Sequence, residues 1–383
     1  MQTIFTFIKK EAVLSIAIAL AAISVIFIPI DRQYLNYIDF RTIALLFCLM
    51  TVIAGVRRRG MFSLIANRLV SRSSGTEGTV LALTLAAFFL SMLITNDVSL
   101  ITLVPLTLTC FEKLPAKAQE SWLIPTVVME TVAANLGSMA TPIGNPQNLY
   151  LYGLSDISLL SFMRIILPYS VLSLIGLIGW IKAHQLRSKA YDHINISGGI
   201  QAADPTEAIQ EPKTIAIYAV LFLICLSTVA RITPWPVSLV IVLIFVLLAD
   251  RKTVLDVDYS LLGTFLALFI FIGNLGRITA FRVALSSILN GHEVFTAIAA
   301  SQIMSNVPAA ILLSGFTDKT EALIIGTNLG GLGTLIASMA SLISYKIIVK
   351  ESRVSKGRYL LYFTGTNIVF LIGLIMLYLI IGQ

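Results

Sequence analysis

Long apolar runs recur from one end of this chain to the other, and they constrain its fold more than any motif does. Ala12 to Ile30, Ile165 to Trp180, Val237 to Ala249 and Tyr362 to Ile381 read as crossings of a hydrocarbon core about 30 Å thick, which takes about 20 helical residues. Backbone polar groups cannot stay unpaired in lipid, so such runs are helices. Of the 383 residues 57% are apolar and only 12% charged, whereas a soluble domain carries about 25% charged residues. The expected fold class is therefore an all-α polytopic membrane protein of the inner (cytoplasmic) membrane, with no separate soluble domain.

The net charge of +7 does not point to nucleic acid. Its Lys and Arg residues sit in short loops beside the spans, where they orient the protein, and no basic stripe interleaved with aromatics is present. Lys9 and Lys10 before an apolar run resemble a signal peptide, but the run is too long and has no small-residue cleavage site; it reads as a retained first span. Cys48, Cys110 and Cys225 each stand alone in apolar stretches, without the spacing of a disulfide framework or zinc site. His184, His193 and His292 fall in predicted loops as solvated side chains. No cofactor is expected other than bound Na⁺.

Basic clusters at Arg57 to Arg59 with Arg68 and Arg72, at Lys182 to Lys189 and at Lys346 to Arg358 mark cytoplasmic loops. The first span then runs outward from Lys10, the second returns over 42–56, and Met61 to Val70 is a short amphipathic helix. Residues 79–111 have one polar break, Thr95-Asn96-Asp97, and predict a re-entrant hairpin entering from the cytoplasm. Its tip backbone must be shielded by protein, because lipid-exposed irregular backbone is not tolerated. Residues 124–152 are interrupted by a Gly- and Pro-rich stretch from Asn135 to Asn148, which predicts a discontinuous helix. A return span over 165–181 completes a first repeat, 1–181, and 182–213 is a polar cytoplasmic linker.

The remainder, 214–383, repeats the first part behind a connecting span over 215–229. Asp258-Tyr259 aligns with Asp39-Phe40 at an offset of 219 residues. Ser305-Asn306-Val307 corresponds to Thr95-Asn96-Asp97, predicting a second hairpin over 294–316. Asn328-Leu329-Gly330 corresponds to Asn135-Leu136-Gly137 at an offset of 193, within a second broken helix over 320–347. The extra span makes the second copy enter from the opposite side, so the repeats are inverted, as in many secondary transporters.

Breaking a helix at mid-membrane frees backbone groups that cost several kcal/mol unless satisfied. Half-helix N-termini favour anions, while unwound carbonyls and C-termini coordinate cations. Four breaks thus supply one central anion site flanked by cation sites. Ordinary Gly/Pro kinks would account for a single break, but the pairing across repeats argues against that for all four. Asp97 and Glu130 are the acidic residues placed well inside the membrane, where a carboxylate binds Na⁺ or carries a proton; the alternative is that each faces a watery funnel or pairs with a neighbour. Val307 and Leu323 stand at the matching places, so ion binding should be asymmetric. The Gly-rich stretch 326–334 lacks the Lys of a phosphate loop, and neither a nucleophilic triad nor a carboxylate dyad appears, so the chain does not read as an enzyme.

The segments Thr95-Asn-Asp-Val-Ser-Leu, Ala134 to Asn148 and Ser305-Asn-Val-Pro308 resemble the ion transporter superfamily. That group comprises divalent anion:sodium symporters, citrate transporters, arsenite efflux permeases and certain sodium/proton antiporters; the chain looks closest to a little-characterised bacterial anion-permease branch. The resemblance implies a scaffold plus a mobile transport domain, elevator-type movement and a homodimer. In the dicarboxylate symporters each tip carries Ser-Asn-Thr; here Asn is kept at both tips and the third position departs in each, more like the arsenite permeases and antiporters at Asn96-Asp97.

The resulting expectation is ion-coupled secondary transport, by Na⁺ or H⁺, of a small anion, with arsenite efflux or Na⁺/H⁺ antiport on the same fold as the alternative. Substrate contacts are expected from Asn96, Thr141, Pro142, Asn145, Asn306 and Thr334. Ion coupling is expected at Thr95, Asp97, Glu130, Asn135, Gly137, Ser305, Asn328 and Gly330, with Na⁺ held among Asn96, Asp97, Asn135, Asn306 and Asn328. Membrane lipid and a second copy of the chain are the other expected partners.

Overall fold

The computed structural model describes residues 11–112, 114–187, 211–351 and 354–381; Lys9, Lys10, His193 and most of the linker lie outside them. Among the described residues every regular element is helical. Six helices are long and apolar enough to cross a membrane, and the chain is a multi-pass membrane protein.

In the first half, α1 (Ala12–Phe27) and α2 (Phe40–Arg58) precede a short helix α3 (Met61–Ser71). The carboxylate of Asp39 caps α2 by accepting from the Thr42 N–H at 3.1 Å, and Arg57 and Arg58 fill its last turn, where cations complement the helix dipole. Gly60 at φ 71° turns the chain into α3, whose buried residues Phe62, Ala66 and Val70 repeat every four positions along one face. Helices α4 (Gly75–Ile94) and α5 (Asn96–Glu112) form the first hairpin. The broken helix is α6 (Ala116–Ser138) and α7 (Pro146–Leu154), and α8 (Leu159–Arg187) returns.

After α9 (Pro212–Val229) the order of elements recurs. The second set comprises α10 (Trp235–Ala249), α11 (Tyr259–Arg277) capped by Asp258, α12 (Thr279–Leu289), the hairpin α13 (Glu293–Met304) and α14 (Asn306–Ser314), the broken helix α15 (Thr320–Leu329) and α16 (Met339–Glu351), and α17 (Lys356–Ile381). The two halves interlock at their beginnings, with α1 packed on α11 and α2 on α9 and α10. Arginines at the ends of α2 and α11 clasp acids of the opposite half. Arg58 pairs with Asp256 at 3.1 Å, Arg59 with Asp250 at 2.9 Å and Glu211 at 3.1 Å, and Arg277 with Asp31 at 2.8 Å. Glycines let the same helices approach. A Cβ on Gly55 would fall 2.1 Å from the Tyr218 ring, and one on Gly273 would fall 2.2 Å from the Tyr37 ring.

Three sequence expectations change. The apolar runs beginning at Ala12 and Val237 lie in helices of 16 and 15 residues, or roughly 24 and 22 Å of rise, shorter than the hydrocarbon core. His184 is not in a loop but on α8, its ring 4.7 Å from that of Trp122 and 5.5 Å from that of Trp180. Cys48 and Cys225 are not solitary either. The packing of α2 on α9 puts their thiols in hydrogen-bond contact.

Candidate functional site

The four breaks meet in one polar cluster. Each hairpin turns on a single non-glycine residue at positive φ: Thr95 at φ 73°, ψ 151° and Ser305 at φ 76°, ψ 153°. That region is otherwise almost confined to glycine and costs of order 1–3 kcal/mol, so it persists only where surroundings enforce it. Each tip is enforced by its own broken helix. Thr141 Oγ1 donates to the Met92 carbonyl at 2.5 Å, and its repeat-equivalent Thr334 donates to the Gln302 carbonyl at 3.3 Å. Gly137 and Gly330 allow the close approach, since a Cβ there would fall 2.0 Å from the Phe88 carbonyl and 2.6 Å from Ser301 Oγ.

Amide side chains connect these pieces. The Asn96 amide donates to Asn135 Oδ1 at 3.0 Å, and the Asn96 N–H donates to the Gly144 carbonyl at 3.2 Å. Asn135 reaches across to the second half of the chain: its amide donates to Ser341 Oγ at 3.3 Å and its oxygen accepts from Ser338 Oγ at 2.9 Å. The reciprocal crossing is built at the equivalent positions. Asn328 accepts from the Asn145 amide at 3.0 Å and donates to Asn148 Oδ1 at 2.6 Å. Asn145 also caps α7, accepting from the Asn148 N–H at 3.0 Å.

The second tip is less connected. Ser305 Oγ lies 3.4 Å from Asn306 Oδ1 and 3.5 Å from the Ala337 carbonyl, and the Asn306 amide abuts Gly331. Gln302 props its loop, donating to the Gly330 and Leu332 carbonyls at 2.9 Å each.

Of the candidates named from sequence, Asn96, Asn135, Asn145, Asn306, Asn328, Ser305 and Pro142 are buried in or beside this cluster, and Thr334 is exposed at its edge. Glu130 is not in it. Five residues before Asn135 on α6, it is buried against Thr107 of α5, whose hydroxyl donates to Oε1 at 2.5 Å. Asp97 is half-buried. Its backbone N–H donates to Asn96 Oδ1 at 3.0 Å, while its own Oδ1 is buried without a hydrogen-bond partner. Sequence reasoning missed Ser338, Ser341, Asn148 and Gln302; Ser338 and Ser341 were findable only by extending the 193-residue offset onto Asn145 and Asn148.

A cavity of about 140 Å³ opens beside the first tip. Thr95, Asp97 and Asn145 line it from the breaks, together with Arg57, Asp256 and Asp258. A larger groove of about 850 Å³ between α8 and α17 is almost wholly apolar and distant from the breaks. The polar convergence of the breaks is therefore the candidate site.

The sequence itself is similar to known proteins. The model of the citrate transporter family matches residues 3–321. The chain belongs to this family. Among relatives in and around the citrate transporter family, an uncharacterized transporter of Methanocaldococcus jannaschii is 32% identical over 348 residues, covering 90% of each chain. Inner membrane protein YbiR of Escherichia coli is 32% identical over 84% of this chain and 83% of its own. The silicon efflux transporter LSI3 of Oryza sativa is 36% identical over 143 residues, 37% of this chain and 28% of that protein. The ion transporter superfamily resemblance of the hairpin and break motifs is thus met by a family match across most of the chain, and the family and its relatives are transporters rather than enzymes.

Proposed function

We propose that this protein is an ion-coupled secondary transporter that moves a small anion across the cytoplasmic (inner) membrane. The observation that carries the reading is the reciprocal pair of cross-repeat bridges, Asn135 to Ser338 and Ser341 and Asn328 to Asn145 and Asn148, beside an Asp97 oxygen left without a partner. The N-termini of the half-helices α5, α7, α14 and α16 turn the positive ends of their dipoles to an anion. Asn96 and Asn306 contact substrate together with Asn145, Pro142, Thr141 and Thr334. Thr95, Asp97, Asn135 and Gly137 on one side, and Ser305, Asn328 and Gly330 on the other, form the cation sites, with Na⁺ or H⁺ at Asp97.

In this reading the repeats, 1–181 and 214–383 about a linker over 182–213, are inverted. The interlocked α1, α2, α9, α10 and α11 form a scaffold, the hairpins and broken helices form the moving part, and two copies assemble as a dimer. Proteoliposomes loaded against Na⁺ or H⁺ gradients and offered citrate, phosphate, sulfate or arsenate test it. Gradient-driven uptake of one of them is expected; indifference of all four to both gradients removes the anion.

A second reading on the same fold is efflux of a small hydroxylated metalloid such as arsenite, or Na⁺/H⁺ antiport. The cavity favours it by charge, since Asp97 and Asp258 line it with Arg57 while its third acid, Asp256, is paired with Arg58, and the silicon efflux relative favours it by likeness. A pH dye inside vesicles separates the cases. Proton movement on adding Na⁺ without any anion marks antiport, and proton movement that requires arsenite marks efflux.

A further inference from the structure

The reading above gives Glu130 no part in the cluster of breaks, yet among the described acids it alone is fully buried. One carboxyl oxygen accepts from Thr107 Oγ1 and the other has no hydrogen-bond partner. The titratable groups facing it are the Tyr359 hydroxyl of α17, buried beside Thr131, and behind that Tyr345 of α16, whose ring lies 5.6 Å from that of Tyr359. Among the described residues Glu130 makes no ion pair. A carboxylate stripped of water with no counter-charge costs several kcal/mol. A neutral acid costs far less, and its carbonyl oxygen still accepts from Thr107. The site therefore accommodates the proton, not the charge.

A route for that proton lies on the same helices. A cavity of about 760 Å³ opens at the face of the basic clusters and is lined by Thr109 and Glu112 of α5, Gln119, Glu120 and Ile124 of α6, and Arg358 of α17. The same three helices, α5, α6 and α17, carry both this cavity and the enclosure of Glu130. Thr107 lies two residues from Thr109, Tyr359 follows Arg358, and Ile124 is six residues from Glu130, about 9 Å along the helix. Glu112 and Glu120 are exposed at the mouth, Glu120 in an ion pair with Arg358 at 2.6 Å. This vestibule is separate from the cavity at Asp97, which lies between the first tip and α2.

We infer that Glu130 is a proton-binding site, loaded from the cytoplasmic face through the vestibule over Glu112 and Glu120, and distinct from the cation site at Asp97. On release the proton passes from the Glu130 carboxyl to vestibule water, leaving a carboxylate that the Thr107 hydroxyl solvates. The role of the site in coupling rests on the transport reading; its existence does not.

Infrared spectroscopy of the purified full-length protein in lipid tests this without substrate or gradient. The wild type should show a buried carboxylic-acid carbonyl band that is absent from Glu130→Gln, shifts in D₂O and is lost as pH is raised. Replacing both Glu112 and Glu120 by Gln should retain the band and slow its deuterium shift several-fold. A band that ignores both D₂O and alkali would make Glu130 a locked structural acid. No such band in the wild type, or unchanged exchange in the double variant, would equally overturn the inference. Should Glu130→Gln fail to fold, Thr107→Val keeps the carboxyl and removes its donor. Its band must then move in frequency, and an unmoved band counts against the assignment. Because no anion is used, failure here leaves anion transport standing, and failure of anion uptake leaves this site standing.

Discussion

The two hairpin tips share a backbone and differ in charge. Thr95 and Ser305 adopt the same strained φ and ψ within a few degrees, each is followed by a buried Asn, and each hairpin is held by the equivalent Thr hydroxyl from its broken helix. The next residue is Asp97 in one tip and Val307 in the other. The first half bridges to Asn328 with amides, Asn145 and Asn148, whereas their counterparts in the second half, which bridge to Asn135 beside the first tip, are the hydroxyls of Ser338 and Ser341. Geometry has been duplicated while the chemistry has not. On the transport reading proposed above, the shared Asn residues are the substrate contacts and Asp97, carried by one tip alone, is the ion-coupling group.

The largest effects should come from what the tips share. Asn96→Ala and Asn306→Ala are each expected to reduce transport to background in proteoliposomes while the protein still inserts and folds. Losing the Asn96 amide strands Asn135 Oδ1 on one side and costs about 1–3 kcal/mol, which a bundle this size absorbs. A tip that keeps wild-type transport as Ala would leave the site, and the comparison would become one between a functional tip and a structural copy.

Next come the positions where the tips differ. Asp97→Asn removes a charge and nearly preserves size, so the protein should be as stable or more so, with transport that no longer responds to Na⁺ or pH. Val307→Asp places an acid in a pocket where Val307 is 5% exposed and should lower the thermal midpoint in detergent, because an uncompensated buried charge is costly. Retained ion dependence in Asp97→Asn would assign Asp97 to the cavity wall alone. A Val307→Asp variant that is stabilised by added Na⁺ would show that the second tip also holds a cation geometry.

Much of this was legible because apolar sequence makes polar breaks conspicuous. Thr95-Asn96-Asp97 and the Gly-Pro stretch from Asn135 to Asn148 stand out in hydrocarbon-length runs, and two fixed offsets tie the halves together. What stayed hidden lacked such contrast. Ser338 and Ser341 are unremarkable serines at a helix start until Asn135 is found bridging to them. Gln302 acts through carbonyls that only the fold brings near. Cys48 and Cys225 meet through the packing of α2 on α9, a long-range contact that no local spacing encodes, and His184 was misplaced because a polar helix end next to a linker reads as loop.

A smaller effect separates the two close approaches. Gly137→Ala drives a Cβ to 2.0 Å from the backbone carbonyl of Phe88, whereas Gly330→Ala meets the movable Ser301 hydroxyl at 2.6 Å and the Gly326 carbonyl at 2.8 Å. Overpacking typically costs about 1–3 kcal/mol, and Gly137→Ala should lie at or above that range and Gly330→Ala below it. Thermal unfolding of the two variants in detergent checks the order. Equal losses would mean that both hairpins yield to the same extent.

The smallest effect concerns the clasps at the ends of α2 and α11, whose acids Asp250 and Asp31 stand 219 residues apart but are unequally shielded. The side chains of Arg59 and Asp250 are 11% and 12% exposed, against 36% and 38% for Arg277 and Asp31. Exposed pairs contribute about 0–1 kcal/mol, while breaking a fully buried pair costs about 3–5 kcal/mol. Arg59→Gln should therefore destabilise by an intermediate amount, about 1–3 kcal/mol on those same limits, and Arg277→Gln by less. Acid should distinguish them further. Burial opposes the charged form of Asp250, which lies just beyond the end of α10, but hydrogen bonds from Thr253, Tyr218 and Arg59 outweigh it and hold the carboxyl below its ordinary range. A carboxyl that titrates lower when folded contributes stability at neutral pH and loses it as pH falls through the folded value. The wild type should thus lose stability on acidification more steeply than Asp250→Asn, measured as thermal midpoint against pH. Parallel curves for the two proteins would show that the clasp on this face contributes packing through the Tyr218 ring and not through charge.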